Sequence, residues 1–163
     1  MEFSHVSVLL DESVEGLAIK PDGIYVDGTV GGAGHSRKIA EKLTSGGLLI
    51  ALDRDPDAVR IAAERLNGYN AKVIRSNYSD LRFVLDSLGI EKTDGVLLDL
   101  GVSSHQLDTA ERGFSYHKDA PLDMRMSQEG ISAYDIVNNY TKEQLSKIIF
   151  EYGDCLLYTS DAA

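Results

Sequence analysis

Three aspartates, Asp27, Asp53 and Asp99, each stand near the end of a short apolar run, and the first leads straight into the loop Gly28-Thr-Val-Gly-Gly-Ala-Gly-His35. Carboxylates at the ends of parallel strands gather at one sheet edge, where open α/β sheets bind ligands. Glycines 28, 31, 32 and 34 let the backbone approach a ligand closely, and the loop opens directly into a helical pattern. Asp53 lies nineteen residues past Gly34, near the spacing at which a carboxylate meets ribose hydroxyls. Each feature alone has an ordinary structural reading: glycines after a strand make tight turns, and a strand-end Asp caps a helix. In one register they imply a nucleoside cofactor.

The loop does not match G-x-G-x-x-G, because from Gly32 and Gly34 the third position is Arg37. A dinucleotide needs a helix N-terminus kept for pyrophosphate. S-adenosylmethionine has no phosphate, but carries a sulfonium and an ammonium that acidic residues balance. Asp27, directly before the glycines, suits that cation. S-adenosylmethionine is therefore the expected cofactor, and NAD, as in an oxidoreductase fragment, is the weaker reading.

The elements that must position these groups alternate. Strands are expected at Ile24–Asp27, Leu48–Asp53, Lys72–Arg75 and Asp94–Leu100, the second a continuous apolar run of the kind buried in parallel sheets. Helices are expected from His35 to Leu43, from Pro56 (with Asp55 as N-cap) to about Leu66, and from Asp80 to Leu88, where Gly89 stops the third. Right-handed crossovers then give a parallel sheet covered on both faces. A polar loop follows from Gly101 to Pro121. Two short helices come next, near Ser132–Asn139 and Lys142–Tyr152, and Thr141-Lys-Glu-Gln144 reads as a capping box for the second.

With 163 residues, 43% of them hydrophobic, the chain has the composition of one globular domain. No apolar run is long enough to span a bilayer and the N-terminus lacks a signal-peptide pattern, so a cytoplasmic location is expected. The single Cys155 excludes an internal disulfide and a Cys-based zinc site, and no metal is expected. A formal net charge of −10 runs against nucleic-acid binding, although a local basic surface can sit on an acidic protein.

The strings Asp27-Gly-Thr-Val-Gly-Gly-Ala-Gly-His-Ser36, Ala51-Leu-Asp-Arg-Asp-Pro56 and Asp94-Gly-Val-Leu-Leu-Asp-Leu-Gly-Val-Ser-Ser104 resemble the ribosomal RNA small subunit methyltransferase H family. So do Gln106-Leu-Asp, Glu111-Arg-Gly-Phe-Ser-Tyr116 and Pro121-Leu-Asp-Met-Arg-Met126, the last two being far more specific than a glycine loop. The similarity runs from about His5 to Gly153. It implies a Rossmann-like class I S-adenosylmethionine-dependent methyltransferase fold, with a partial parallel sheet of order 3-2-1-4 and the start of an inserted helical domain. It also implies methylation of the exocyclic N4 of a cytidine in the decoding region of 16S ribosomal RNA, with the small ribosomal subunit as partner.

Carried over from the family, cofactor contacts fall on Ala33, Gly34, His35, Asp53, Tyr78, Asp99 and Gln106, with Asp27 added from the residue reading above. Tyr78 stands where the family commonly has phenylalanine, Ala33 where it often has glycine, and Ser7 where it usually has proline. A cytosine amino group is a poor nucleophile because its lone pair is conjugated into the ring, so it must be aimed and held by acceptors. Asp99 and Ser103, in the turn after the fourth strand, stand where such acceptors belong; a purely cofactor-binding Asp99 is the alternative. His35 reads as a cofactor contact rather than a base. Arg112, Phe114, Tyr116, Lys118 and Arg125 form a basic-aromatic cluster suited to RNA phosphates and bases, or else an ordered loop with Phe114 in the core.

The expected organisation is a methyltransferase core half at 1–126, the start of a helical substrate-recognition domain at 127–153, and an aberrant or truncated tail at 154–163. Relatives are expected to be about twice as long, to return to the sheet and to carry more of the basic surface. A chain ending here should leave strand four as an uncovered edge, fold poorly or bind cofactor weakly, and fail to methylate ribosomal RNA. A short cofactor-binding module needing a partner chain and a fragment without function stay open as alternatives.

Overall fold

A computed structural model describes residues 7–153. The expected tail at 154–163 lies outside the described residues. Two compact units are present: one runs to His105 and takes in Met126–Gln128, the other comprises Gln106–Arg125 and the residues from Glu129 on.

The first unit is a four-stranded parallel sheet with the order β3-β2-β1-β4. The strands are β1 (Ile24–Asp27), β2 (Leu48–Asp53), β3 (Ala71–Arg75) and β4 (Gly95–Leu97). Its helices are α1 (Leu10–Gly16), α2 (Gly34–Ala40), α3 (Pro56–Arg65) and α4 (Leu81–Ser87). Strand side chains alternate between faces. Tyr25, Leu49 and Ala51 pack with Val14, Ile39, Ala40, Ala62 and Leu66, whereas Val26, Ile50 and Leu52 pack with Val84 and Leu85. Helices therefore cover both faces. This is the Rossmann-like, doubly wound arrangement expected from the sequence.

Local signals set most boundaries. Asp55 caps α3 by accepting from the Asp57 amide, with Pro56 at the first helical position. Gly68 and Gly89 follow α3 and α4 with φ of 91° and 70°, conformations that glycine adopts without a Cβ penalty. Helix α2 ends at Ala40, earlier than the expected Leu43. The chain continues in tighter turns, Lys42 and Leu43 donating to the Ile39 and Ala40 carbonyls.

Two expectations are corrected, and one helix had no expectation attached. Strand β4 stops at Leu97, not Leu100, because its partner β1 has ended: the Gly28 amide on Leu97 O is the bond that follows the last paired residues, Asp27 and Leu97. The stretch expected as a loop from Gly101 to Pro121 contains a short helix, α5 (Ser104–Asp108), and a 3-10 turn at Ala110–Arg112. Helix α1 was not expected. Leu10, Val14 and Leu17 lie on its inner side, with Val14 buried in the core.

The second unit carries α6 (Ala133–Asn139) and α7 (Lys142–Tyr152). Both begin with capping boxes, Ser132 with Asp135 and Thr141 with Gln144. Among the described residues no helix is long and apolar enough to cross a membrane.

Candidate cofactor site and its neighbouring loops

Strands β1 and β2 run in register, Asp27 beside Ala51, so Asp53 projects two residues past the end of β1 and reaches the glycine loop. The loop is held on three sides. The Val30 amide donates to Leu52 O at 2.8 Å and the Gly31 amide to Asp53 Oδ2 at 2.9 Å. Thr29 Oγ1 accepts from the Asp99 amide at 2.7 Å. The loop thus joins all three expected acids. Asp99 lies in the segment beyond β4 rather than at the strand's end, with its side chain 51% exposed.

Asp27 holds the loop together. Its carboxylate is 1% exposed, and both oxygens are taken within the loop: Oδ1 accepts from the Thr29 amide at 3.1 Å and Oδ2 from Ser36 Oγ at 2.6 Å. Burial pushes its carboxyl pKa up, against the hydrogen bonds from Ser36 and Thr29. Asp27 thereby staples the loop to α2. Ser36 and Thr29 complete that staple, and sequence reading missed both, since a hydroxyl beside a glycine loop has no distinctive spacing.

Asp53 is half-buried. Oδ2 takes the Gly31 amide and Oδ1 the Asp55 amide at 2.9 Å. Each carboxylate oxygen has a second lone pair, so this donor set leaves acceptor capacity for hydroxyl groups. Burial also raises the Asp53 pKa, with the Asp55 and Gly31 amides opposing.

Ala33 is buried and sits at φ 62°, in the left-handed region that favours glycine. That geometry explains why glycine suits this position. Gly34 opens α2, and a Cβ there would collide with the Ser7 side chain. His35 is buried, its Nε2 donating to Val8 O at 3.1 Å while Nδ1 lies 4.0 Å from Asp99 Oδ2. Tyr78, in the 3-10 turn Tyr78–Asp80, is 44% exposed. Its Cβ comes within 3.1 Å of where a side chain on Gly28 would begin. Ser103 is partly exposed in the turn before α5.

In the second unit Gln106 is buried. Of the five residues expected to meet RNA, two have side chains engaged within the loops themselves. Arg112 is 8% exposed and donates to Arg125 O at 3.1 Å, while its own carbonyl accepts from the Met124 amide. Arg125 forms a two-nitrogen ion pair with Asp123, Nη2 to Oδ2 at 2.6 Å, which holds the Asp123 carboxyl below its usual range. Arg112 thus clips the string Glu111-Arg-Gly-Phe114 to Leu122-Asp-Met-Arg125, while Arg125 braces its own string through Asp123 and Gly130 O. Gly113, at φ 69°, belongs to the clip: a Cβ would lie 2.5 Å from Pro121 O.

The other three differ. Tyr116 is 92% exposed, its ring 4.4 Å from that of His117. Lys118 is exposed and reaches Asp108 O at 3.4 Å. Phe114 is half-buried and lines an open cleft with Tyr116, Lys118 and Met124.

The profile of the MraW methylase family matches residues 2–162, extending beyond Gly153, where the resemblance read from the sequence ended. Ribosomal RNA small subunit methyltransferase H of Clostridioides difficile (strain 630) is 57% identical over 157 residues, covering 94% of this chain and 50% of that protein. The protein of the same name from Lachnospira eligens is also 57% identical over 157 residues, with the same coverage. Ribosomal RNA small subunit methyltransferase H 2 of Agathobacter rectalis is 58% identical over 158 residues, again covering 94% and 50%. The chain spans about half the length of these curated relatives.

Proposed function

Because this chain belongs to the MraW methylase family, we propose that it supplies the cofactor-binding part of an S-adenosylmethionine-dependent ribosomal RNA methyltransferase. The finer reading is transfer to the exocyclic N4 of a cytidine in the decoding region of 16S ribosomal RNA, on the small ribosomal subunit in the cytoplasm. The observation that carries the cofactor reading is the convergence of Asp53 and Asp99 on one glycine loop stapled by Asp27. A half-buried carboxylate with lone pairs to spare fits ribose hydroxyls, and an exposed aromatic ring at Tyr78 fits a purine face.

S-adenosylmethionine, when bound, supplies an electrophilic methyl group. Asp53 accepts from the ribose. Tyr78 stacks on or edges the adenine, and the loop backbone at Ala33, Gly34 and His35 passes close to the ligand. Gln106 completes the cofactor contacts carried over from the family. Asp99, with its exposed carboxylate beside His35, and Ser103 accept hydrogen bonds from the amino group and aim it. Tyr116, Phe114 and Lys118 offer stacking and a phosphate contact to unpaired RNA. Helices α6 and α7 begin the substrate-recognition part.

Titration calorimetry tests the cofactor: the chain should bind S-adenosylmethionine at least tenfold more tightly than NAD, and the reverse order would restore the oxidoreductase reading. A chimera tests the substrate. Residues 2–162 replace the corresponding half of the Clostridioides difficile relative, and methyl incorporation into unmodified small subunits is mapped by mass spectrometry. N4-methylcytidine at one site is the expected product. Methylation of another base would sink the finer reading, and Asp99→Ala in the chimera should abolish transfer.

A further inference from the structure

Residues Met126–Gln128 return from the second unit's sequence to pack with the sheet unit. They settle on the turn that follows Asp53. Gln128 Nε2 donates to Asp57 Oδ2 at 2.8 Å and reaches Asp55 Oδ1 at 3.4 Å. Beside it, Arg75 Nη2 donates to Ser127 O at 2.9 Å, while Arg75 Nε reaches Arg54 O at 3.5 Å. Residues 54, 55 and 57 are therefore all tied to this strap or to the arginine that holds it. The Asp55 amide in turn fixes Asp53 Oδ1.

Gln128 is exposed, yet its backbone sits at φ 61°, a left-handed conformation that is strained for any residue but glycine or asparagine. A glycine there would relieve the strain at no packing loss. The side chain is what a glycine would lack. We propose that Gln128 is a positioning residue for the cofactor: it clamps the β2–α3 turn through Asp55 and Asp57 and so holds the Asp53 carboxylate in its ribose-accepting orientation. This rests on the assignment of Asp53 to the cofactor ribose.

The test uses the whole chain and the variants Gln128→Gly and Gln128→Glu. Gln128→Gly should weaken S-adenosylmethionine about tenfold in titration calorimetry while leaving the melting temperature unchanged or higher. Gln128→Glu, which places a third carboxylate against Asp55 and Asp57, should weaken it further. In the ligand-free Gln128→Gly protein the amide resonances of Gly31 and Asp55, the two backbone donors to Asp53, should shift. A strap that only supports the fold would move stability and leave the Gly31 amide where it was.

Wild-type binding with unchanged affinity in Gln128→Gly overturns the positioning role alone. So does weakened binding with an unshifted Gly31 resonance. A wild-type chain that does not bind S-adenosylmethionine overturns the cofactor assignment itself, and the positioning role with it.

Discussion

Two aspartates that look alike in the sequence sit differently in the fold, Asp27 fully buried and Asp53 half-buried. Asp27 has both oxygens committed to the loop, so Asp27→Ala leaves the Ser36 hydroxyl and Thr29 amide without their acceptor; it should destabilise the fold by about 1–3 kcal/mol, read by chemical denaturation. Asp53→Asn should chiefly weaken S-adenosylmethionine, by tenfold or more, with a smaller effect on stability. Burial raises both carboxyl pKa values in the fold. For stability the sign is fixed: their contribution is full below the unfolded value and fades as pH rises through the raised folded value. Ribose hydroxyls favour the ionised Asp53, so cofactor affinity should move the other way and fall as pH drops through that raised value. Calorimetry across mildly acidic pH checks this, and affinity that falls only near the ordinary carboxylate range of about 3.9 would count against it. The sequence showed that Asp27 mattered but not how, because the partners that bury it, Thr29 and Ser36, carry no spacing signal of their own.

Elements with strong local signals were legible. Asp55-Pro56 marked the start of α3, and the apolar run of β2 was read to its exact ends. Thr141 and Gln144 form the expected box, and Thr141→Ala should cost about 0.5–2 kcal/mol in chemical denaturation. Elements defined by a neighbour were not legible. The string Asp94–Leu100 has one apolar pattern throughout, but only Gly95–Leu97 has β1 to pair with. Arg112 and Arg125 carried two readings, RNA contact or an ordered loop, since a basic residue near aromatics looks alike in both. Burial and the partners in space, Arg125 O for Arg112 and the adjacent Asp123 for Arg125, are what the spacing does not carry.

At the scale of the whole molecule, β4 stands at one end of the strand order among the described residues, paired with β1. Val96, Leu98, Leu100 and Val102 are 43%, 45%, 64% and 44% exposed, so exposed apolar side chains run from this end strand into the segment after it. Such edges pair with other chains. The isolated chain should self-associate in sedimentation velocity, and Leu100→Lys should shift it toward monomer; identical profiles would remove the edge as the cause. The loop itself has a kinetic consequence. Val30 and Gly31 are held by Leu52 and Asp53, the latter 22 residues further along the chain, so β1 alone cannot give the loop its shape. The cradle forms only when β2 docks, after a non-local closure of the slow kind that parallel pairing requires. In stopped-flow refolding, ligand capture should therefore rise with the same rate constant as sheet formation. A cradle competent in a fast, earlier phase would show that the loop is shaped before its second strand arrives.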